Sequence, residues 1–182
     1  MIVVTGGAGF IGSNLVYGLN KLGISDILIV DDLTEGQKSR NLNALDFLEY
    51  IDKDEFIHDL DRYKNYGIHT IFHQGACADT MEHDGKKMMR MNYDYSKSLF
   101  DFSMLNNIRF LYASSAAVYG NGENGFTENR ACENPLNVYA YSKFIFDQYV
   151  RRHLHSISTQ TVGLRYFNVY GQQENHKARM AS

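Results

Sequence analysis

The stretch Thr5-Gly6-Gly7-Ala8-Gly9-Phe10-Ile11-Gly12 constrains this chain more than any other. An apolar run, Ile2-Val3-Val4, leads into it, and an amphipathic segment, Ser13 to Leu22, leads out. That order reads as a buried strand, a glycine turn and a helix start. Gly7 is expected to let the backbone turn tightly. Gly9 would let it approach a phosphate with no Cβ in the way, and Gly12 would let the helix lie close to the strand. The first helical amides, at Phe10 and Ile11, have no acceptor inside the helix and suit an anion. A second apolar run, Ile27-Leu28-Ile29-Val30, ends in Asp31-Asp32, about 20 residues beyond the last glycine. That spacing turns a common glycine turn into a dinucleotide site, with Gly6, Gly9 and Gly12 at the pyrophosphate and Asp31 at a ribose.

The remainder of the chain alternates strand and helix. The first helix should run from about Gly12 to Leu22 and stop near Gly23. Phe47 to Ile51 reads as a third strand, and Asp52-Lys53-Asp54-Glu55 as a capping box. Thr70 to His73 is a fourth strand, ending at Gln74-Gly75-Ala76. A long helix is expected from about Lys86 to Asn106, with Met88, Met89, Tyr95, Leu99, Phe102 and Leu105 at helical spacing and the methionines as core filler. Phe110 to Ala113 is a fifth strand. A loop rich in Gly and Asn follows, then Pro135, then a helix from Tyr139 to about Leu154. Thr161 to Arg165 is a sixth strand. This alternation predicts an α/β fold, a doubly wound, mostly parallel sheet with helices on both faces. Ligands of such sheets bind outside the carboxyl ends of the strands, where Gly6 to Gly12, Asp31, Gly75, Ser114-Ser115 and Asn168 all fall.

Composition agrees with a single domain of 182 residues. With 44% apolar residues, thirteen Tyr and eleven Phe, a sizeable core is available. A net charge of −3 offers no basic footprint for nucleic acid. Cys77 and Cys132 have neither disulfide nor metal spacing, and the seven histidines form no convincing ligand set, so no metal is expected. A strand beginning at Ile2 leaves no room for a leader, and no apolar run nears the roughly 20 residues of a membrane span. A soluble, cytoplasmic chain is the expectation.

A second constellation carries chemistry. Ser114-Ser115 close the fifth strand, and Tyr139-Ala140-Tyr141-Ser142-Lys143 opens the following helix. Tyr139 and Lys143 share one helical face. An ammonium beside a phenol favours the phenolate and lowers its pKa from about 10. A tyrosine tuned in this way can take a hydroxyl proton as hydride leaves the same carbon. Ser115 beside it could orient the reacting oxygen. Tyr141 is out of phase with Lys143 and reads as a packing residue.

Taken together, Gly6-x-x-Gly9-x-x-Gly12, Ser115 and Tyr139-x-x-x-Lys143 resemble the extended short-chain dehydrogenase/reductase family, which includes nucleotide-sugar epimerases and dehydratases. Two further stretches, His73 to Gly85 and Arg165-Tyr166-Phe167-Asn168-Val169-Tyr170-Gly171 with the ending Glu174 to Ser182, are similar to the branch that inverts C6″ of ADP-glycero-manno-heptose for the lipopolysaccharide inner core. The resemblance covers the whole chain. It implies transient oxidation and re-reduction at one carbon with a tightly bound NADP and no net redox change. Two proton-handling groups are then needed, and Tyr139 and Lys177 match them. Lys143 would hold the nicotinamide ribose, and Ser115 the reacting oxygen. By the same resemblance Gln74, Gly75, Ala76, Cys77, Ala78, Asn92, Val169 and Lys177 line the cofactor, and Asn168 and Arg179 meet the ADP-heptose. The family also implies a homo-oligomer, a pentamer. Another 4-epimerase or dehydratase of the same family, or a non-catalytic dinucleotide-binding module, stays open as an alternative.

Cofactor choice is divided. Asp31 suits the 2′-hydroxyl of NAD, whereas Lys38, Arg40 and Lys53 could meet the 2′-phosphate of NADP. The family has Asp-Asn at this strand end with lysines matching Lys38 and Lys53, and prefers NADP. Asp32 replaces the Asn here. Arg179 and Met81 stand where the family usually has Ser and Thr. Family members also continue for over a hundred residues beyond this length, so residues 1–171 read as the dinucleotide-binding domain and 172–182 as the start of a substrate domain.

Overall fold

The computed structural model describes residues 1–173; residues 174–182, with Lys177 and Arg179, lie outside the described part. Six strands form one parallel sheet: β1 (Ile2–Thr5), β2 (Ile27–Asp31), β3 (Glu49–Asp52), β4 (Thr70–His73), β5 (Arg109–Ser115) and β6 (Thr161–Tyr166). Their spatial order is β3-β2-β1-β4-β5-β6. The chain winds outward from β1 to β3, returns to the other side of β1 at β4, and winds outward again. The crevice of a doubly wound sheet opens at that reversal, between β1 and β4.

Both faces are covered, as expected. Every residue of β1 and β2 is buried, the pattern of a strand sandwiched between two helix layers. Period-2 alternation sends Ile2, Val4, Ile27 and Ile29 toward Val16 and Leu19 of α1 (Phe10–Lys21). It sends Val3, Leu28, Val30 and Ile71 to the other face. There they meet Leu99, Phe100 and Phe102 of α4 (Tyr95–Leu105), and Phe146 and Val150 of α5 (Val138–His153). A short α2 (Lys53–His58) contributes Phe56 to this layer.

Register sets the level of the site. Thr5 pairs with Val30 on one side and His73 on the other. The residues that follow, Gly6, Asp31 and Gln74, therefore emerge at one height. Gly6 N–H donates to Val30 O at 2.8 Å, and Gln74 N–H to Thr5 O at 3.0 Å.

Element boundaries moved by one or two residues in several places. The notable departure is the long helix. It is divided into α3 (Gly85–Met88), a π turn over Met89–Asp94, and α4. The extra residue of a π turn changes the phase of everything before it. Met88 and the polar Asn92 and Ser96 turn fully inward, while Leu105 is exposed. Hydrophobic spacing alone cannot register an inserted residue whose inward neighbours are polar. At α2, Asp52 accepts from Asp54 N–H at 2.8 Å, so the expected cap forms on its acidic side.

Candidate dinucleotide and catalytic site

The glycine turn is built as a contact between backbones. Gly6, not Gly7, carries the left-handed conformation, with φ +68°. A Cβ there would lie 2.6 Å from Gly75 N. A Cβ on Gly12 would collide with Gly6 O, so this glycine lets α1 close on the turn itself rather than on the strand. The helix begins at Gly9 without a side-chain cap, and its first intrahelical bond is Ser13 N–H to Gly9 O at 3.0 Å. The Ile11 and Gly12 amides of the first turn thus precede any helical acceptor and suit an anion. Buried Gln74 Oε1 has no partner among the described residues and adds an unsatisfied acceptor beside this cradle. These groups fit a dinucleotide pyrophosphate and its neighbours.

Asp31 is buried and anchors the turn. Its carboxylate accepts from Ala8 N–H at 2.8 Å, from Asp32 N–H at 2.7 Å and from Lys38 Nζ at 2.7 Å. Lys53 Nζ meets Asp32 at 2.9 Å and Asp54 at 3.0 Å. Hydrogen bonds from Thr34 and then Lys53 hold the Asp32 carboxyl far below its usual range. Burial opposes the charge of Lys53, yet its carboxylate partners hold it above its ordinary value. Two lysines and two aspartates therefore surround the end of β2, each lysine beside a carboxylate.

The loop after β4 lies against this turn. Gly75, Ala76 and Cys77 are half-buried and Ala78 is exposed. Asn92 is wholly buried, and its amide holds the loop: Oδ1 accepts from Cys77 N–H at 2.8 Å and Nδ2 donates to Cys77 O at 3.0 Å. Its place in the site is therefore indirect, through the loop it clamps.

Ser115 and Tyr139 face each other across β5 and α5, and Lys143 lies one helical turn beyond Tyr139. α5 is capped by Asn137, which accepts from Ala140 N–H at 2.8 Å, and this starts the helix one residue before Tyr139. The Ser115 hydroxyl lies beside the Tyr139 phenol and favours its ionised form, and Ser115 Oγ accepts from Ala117 N–H at 3.1 Å. Lys143 is buried, and its Nζ donates to Ala113 O at 2.8 Å. The electrostatics differ from the expectation that Lys143 would lower Tyr139. Burial raises the phenol above its ordinary value, with Ser115 pulling against it and Cys77 adding to it. Burial also pushes Lys143 down to about 8, against the attraction of Asp147. A desolvated ammonium turned to a carbonyl is a poor source of phenolate stabilisation.

Asn168 and Val169 follow β6 at its carboxyl end and are exposed. Lys177 and Arg179 fall outside the described residues.

Two clusters were not anticipated. His73 lies buried between Thr5 and Ser96. Asp147 accepts from Ser114 Oγ at 2.9 Å and Tyr112 OH at 3.0 Å, and pairs with Arg165 at 3.2 Å. Arg165 also pairs with Glu133, as does Arg151. Arginine and acid residues scattered over α5, β6 and a loop carry no local signal, since only the fold brings them together. A separate cleft of ≈ 340 Å³ opens over Gly163 and Leu164 of β6, lined by this charge cluster rather than by Ser115 or Tyr139.

A family profile described as the NAD dependent epimerase/dehydratase family matches residues 2–182. The chain is 58% identical over 186 residues to ADP-L-glycero-D-manno-heptose-6-epimerase of Brachyspira hyodysenteriae, covering 100% of this chain and 58% of that protein. It therefore spans little more than half the length of that relative. The crystal structure of ADP-L-glycero-D-manno-heptose-6-epimerase of Helicobacter pylori superposes with a TM-score of 0.87 at 34% identity, over 100% of this chain and 59% of that one. UDP-glucuronic acid 4-epimerase of Bacillus cereus, in complex with NAD, gives a TM-score of 0.82 at 25% identity, over 94% and 57%. No helix of the described residues is long and apolar enough to cross a membrane.

Proposed function

This chain belongs to the NAD dependent epimerase/dehydratase family, and from that membership we propose that it forms the dinucleotide-binding part of an enzyme inverting C6″ of ADP-glycero-manno-heptose. Residues 1–171 would make the cofactor domain, and 172 onward would enter the part that grips the nucleotide sugar. The observation that carries the reading is the Tyr139 phenol beside Ser115, with Lys143 buried one helical turn on, at the same carboxyl edge of the parallel sheet as the glycine turn. A module that only binds dinucleotide needs no such pair. Identity of 58% to a heptose epimerase, against 25% and 32% to two UDP-sugar 4-epimerases, supports the heptose over other sugars.

Within that reading the turn at Gly6–Gly12 and the N-terminus of α1 hold the pyrophosphate, and Asp31, Lys38 and Lys53 face the adenosine ribose. A bound nicotinamide supplies hydride removal and return at a single carbon. Tyr139 handles the proton of the reacting oxygen. Its phenol is neutral at pH 7, which suits the return half, when it donates to the oxygen that becomes a hydroxyl again. In the outward half it must accept that proton, and Lys143, whose Nζ is turned to Ala113 O, would have to swing toward the phenol to stabilise the phenolate. Ser115 holds the oxygen against the phenol. Lys177 would serve the opposite face of the sugar.

NADP is the cofactor we propose, supported by Lys38 and Lys53, two cations at the end of β2 that could turn from their aspartates to a 2′-phosphate. Asp32 opposes them. Asp32→Asn is expected to shift the ratio of NADPH to NADH affinity about fivefold toward NADPH, since a like charge beside the phosphate is removed and Lys53 keeps only Asp54 as a partner. Nicotinamide fluorescence titrations of both variants measure this; an unchanged ratio would place the 2′-phosphate elsewhere.

The reading is tested by assaying ADP-heptose against UDP-sugars with a polypeptide of the relatives' full length that begins with these residues. Turnover of the heptose alone is expected. A polypeptide of these 182 residues alone, which span little more than half the length of the heptose epimerases, should bind NADPH weakly and turn over little or no sugar. Efficient epimerisation by the short chain would sink that division of labour.

A further inference from the structure

Five buried side chains link the glycine turn to the helix that carries Tyr139. Thr5, His73, Asn92, Ser96 and Ser142 are each no more than 2% exposed. Gly75 N–H donates to Thr5 Oγ1 at 3.3 Å. Thr5 Oγ1 meets His73 Nδ1 at 2.6 Å, and His73 Nε2 meets Ser96 Oγ at 2.7 Å. Ser96 Oγ donates to Asn92 O at 2.5 Å. The Asn92 amide, besides clamping Cys77, donates to Ser142 Oγ at 3.1 Å, and Ser142 Oγ donates to Tyr139 O at 2.7 Å.

Proton counting settles the direction of every bond in this path. Asn92 O can only accept, so the single Ser96 hydroxyl proton points there. Ser96 Oγ must then accept from His73, which puts a proton on Nε2. A neutral imidazole carries one proton, so Nδ1 is bare and accepts the Thr5 hydroxyl proton. The Thr5 oxygen is left free to accept from Gly75 N–H. Burial and the nearby Lys143 push His73 down to about 3, in keeping with a neutral ring. Any other tautomer would set two donors or two acceptors face to face inside the core, where an unsatisfied group is costly.

We propose that His73, as the neutral Nε2–H tautomer, is a positioning residue that sets the Gly75 turn against Gly6 and holds it in register with Asn92 and the helix bearing Tyr139. This rests on the dinucleotide reading of the site. Gly6 and Gly75 touch through their backbones, so a shift of either moves the floor on which the dinucleotide lies. His73 touches no part of that floor. It acts through Thr5 on one side and through Ser96 and Asn92 on the other, much as an outer-shell group orients a ligand.

The test combines imidazole ¹⁵N NMR of the 182-residue chain with NADPH titrations of wild type, His73→Phe, Thr5→Val and His73→Gln. Wild type should show the Nε2–H tautomer and no titration of His73 between pH 5 and 8. His73→Phe and Thr5→Val should each weaken NADPH binding about tenfold while the chain still unfolds cooperatively. His73→Gln, which can accept from Thr5 and donate to Ser96, should recover most of that affinity. A purely structural role predicts a lower Tm with unchanged NADPH affinity, and that result would overturn the proposal, as would an Nδ1–H tautomer. Should His73→Phe not fold, Thr5→Val decides alone, since it keeps the shape and removes only the hydroxyl. Wild type that binds neither NADPH nor NADH would remove the site reading and this role with it. Wild-type binding left intact by both variants removes this role only.

Discussion

Tyr139→Phe is expected to lower kcat for heptose epimerisation by about 10³-fold in the enzyme carrying its C-terminal part, within the range of general acid–base catalysis. The change removes one oxygen. It leaves the aromatic ring in its pocket and the glycine turn, Asp31 and the Gln74 loop untouched. NADPH affinity should therefore stay within about twofold of wild type, which separates loss of proton handling from loss of folding. Isothermal titration with NADPH, beside a coupled assay of ADP-heptose, measures both. Retention of a tenth or more of kcat would remove Tyr139 from the chemistry and shift weight to the non-catalytic module. The buried phenol also predicts that the residual rate of the variant loses any pH dependence that belongs to this group.

The second large effect concerns stability. Glu133 has a fully buried carboxylate facing Arg151 and Arg165, with Gln148 Nε2 at 3.1 Å. Arg165 in turn reaches Asp147, which holds Ser114 next to Ser115. Glu133→Ala would leave Arg165 desolvated with one carboxylate where it had two. Truncating one member of a buried charge pair costs about 3–5 kcal/mol, and partial exposure of Arg151 places this case near about 3 kcal/mol. Urea unfolding of the two chains reads the difference. A loss under about 1 kcal/mol would mean that the cluster behaves as a solvated surface pair.

The same carboxyl has an acid signature. Burial opposes its ionisation, but Arg151 and Arg165 hold its pKa below the ordinary 4.5. A folded-state value below the unfolded one contributes stability that is fully present above pH 4.5 and lost as pH falls through the folded value. Glu133→Ala should therefore flatten the acid limb of stability below pH 4.5, while leaving the neutral-to-basic limb parallel to wild type.

Much of the site was legible in one dimension because its parts are local. A strand, a glycine turn and a helix start must adjoin in the chain to make a pyrophosphate cradle, so Gly6 to Gly12 announces itself. Tyr139 and Lys143 declare a shared face through the helical period alone. Asp31 follows from its distance in sequence. The α/β order, from which the parallel sheet follows, is likewise written in alternating apolar runs.

What escaped is long-range or polar and buried. The π turn at Met89–Asp94 exists to bring Asn92 and Ser96 inward, and no hydrophobic period marks an inward amide. Gly6 rather than Gly7 takes the left-handed turn, and the backbone of Gly75, from a distant loop, leaves no room for a Cβ there. Tyr139 lies above its ordinary pKa rather than below it, since pKa depends on burial and on where Lys143 points, and Lys143 points at Ala113.

By itself, then, the sequence determined the alternation of elements from which the doubly wound class follows, the glycine cradle and the shared face of Tyr139 and Lys143, which depend on neighbours within a turn or a strand, and it placed Ser115 at a strand end. Only the tertiary structure decided which buried polar groups meet. His73 with Thr5 and Ser96, and Glu133 with Arg151 and Arg165, join elements far apart in the chain, and their protonation and charge states follow from desolvation, which no stretch of sequence carries alone.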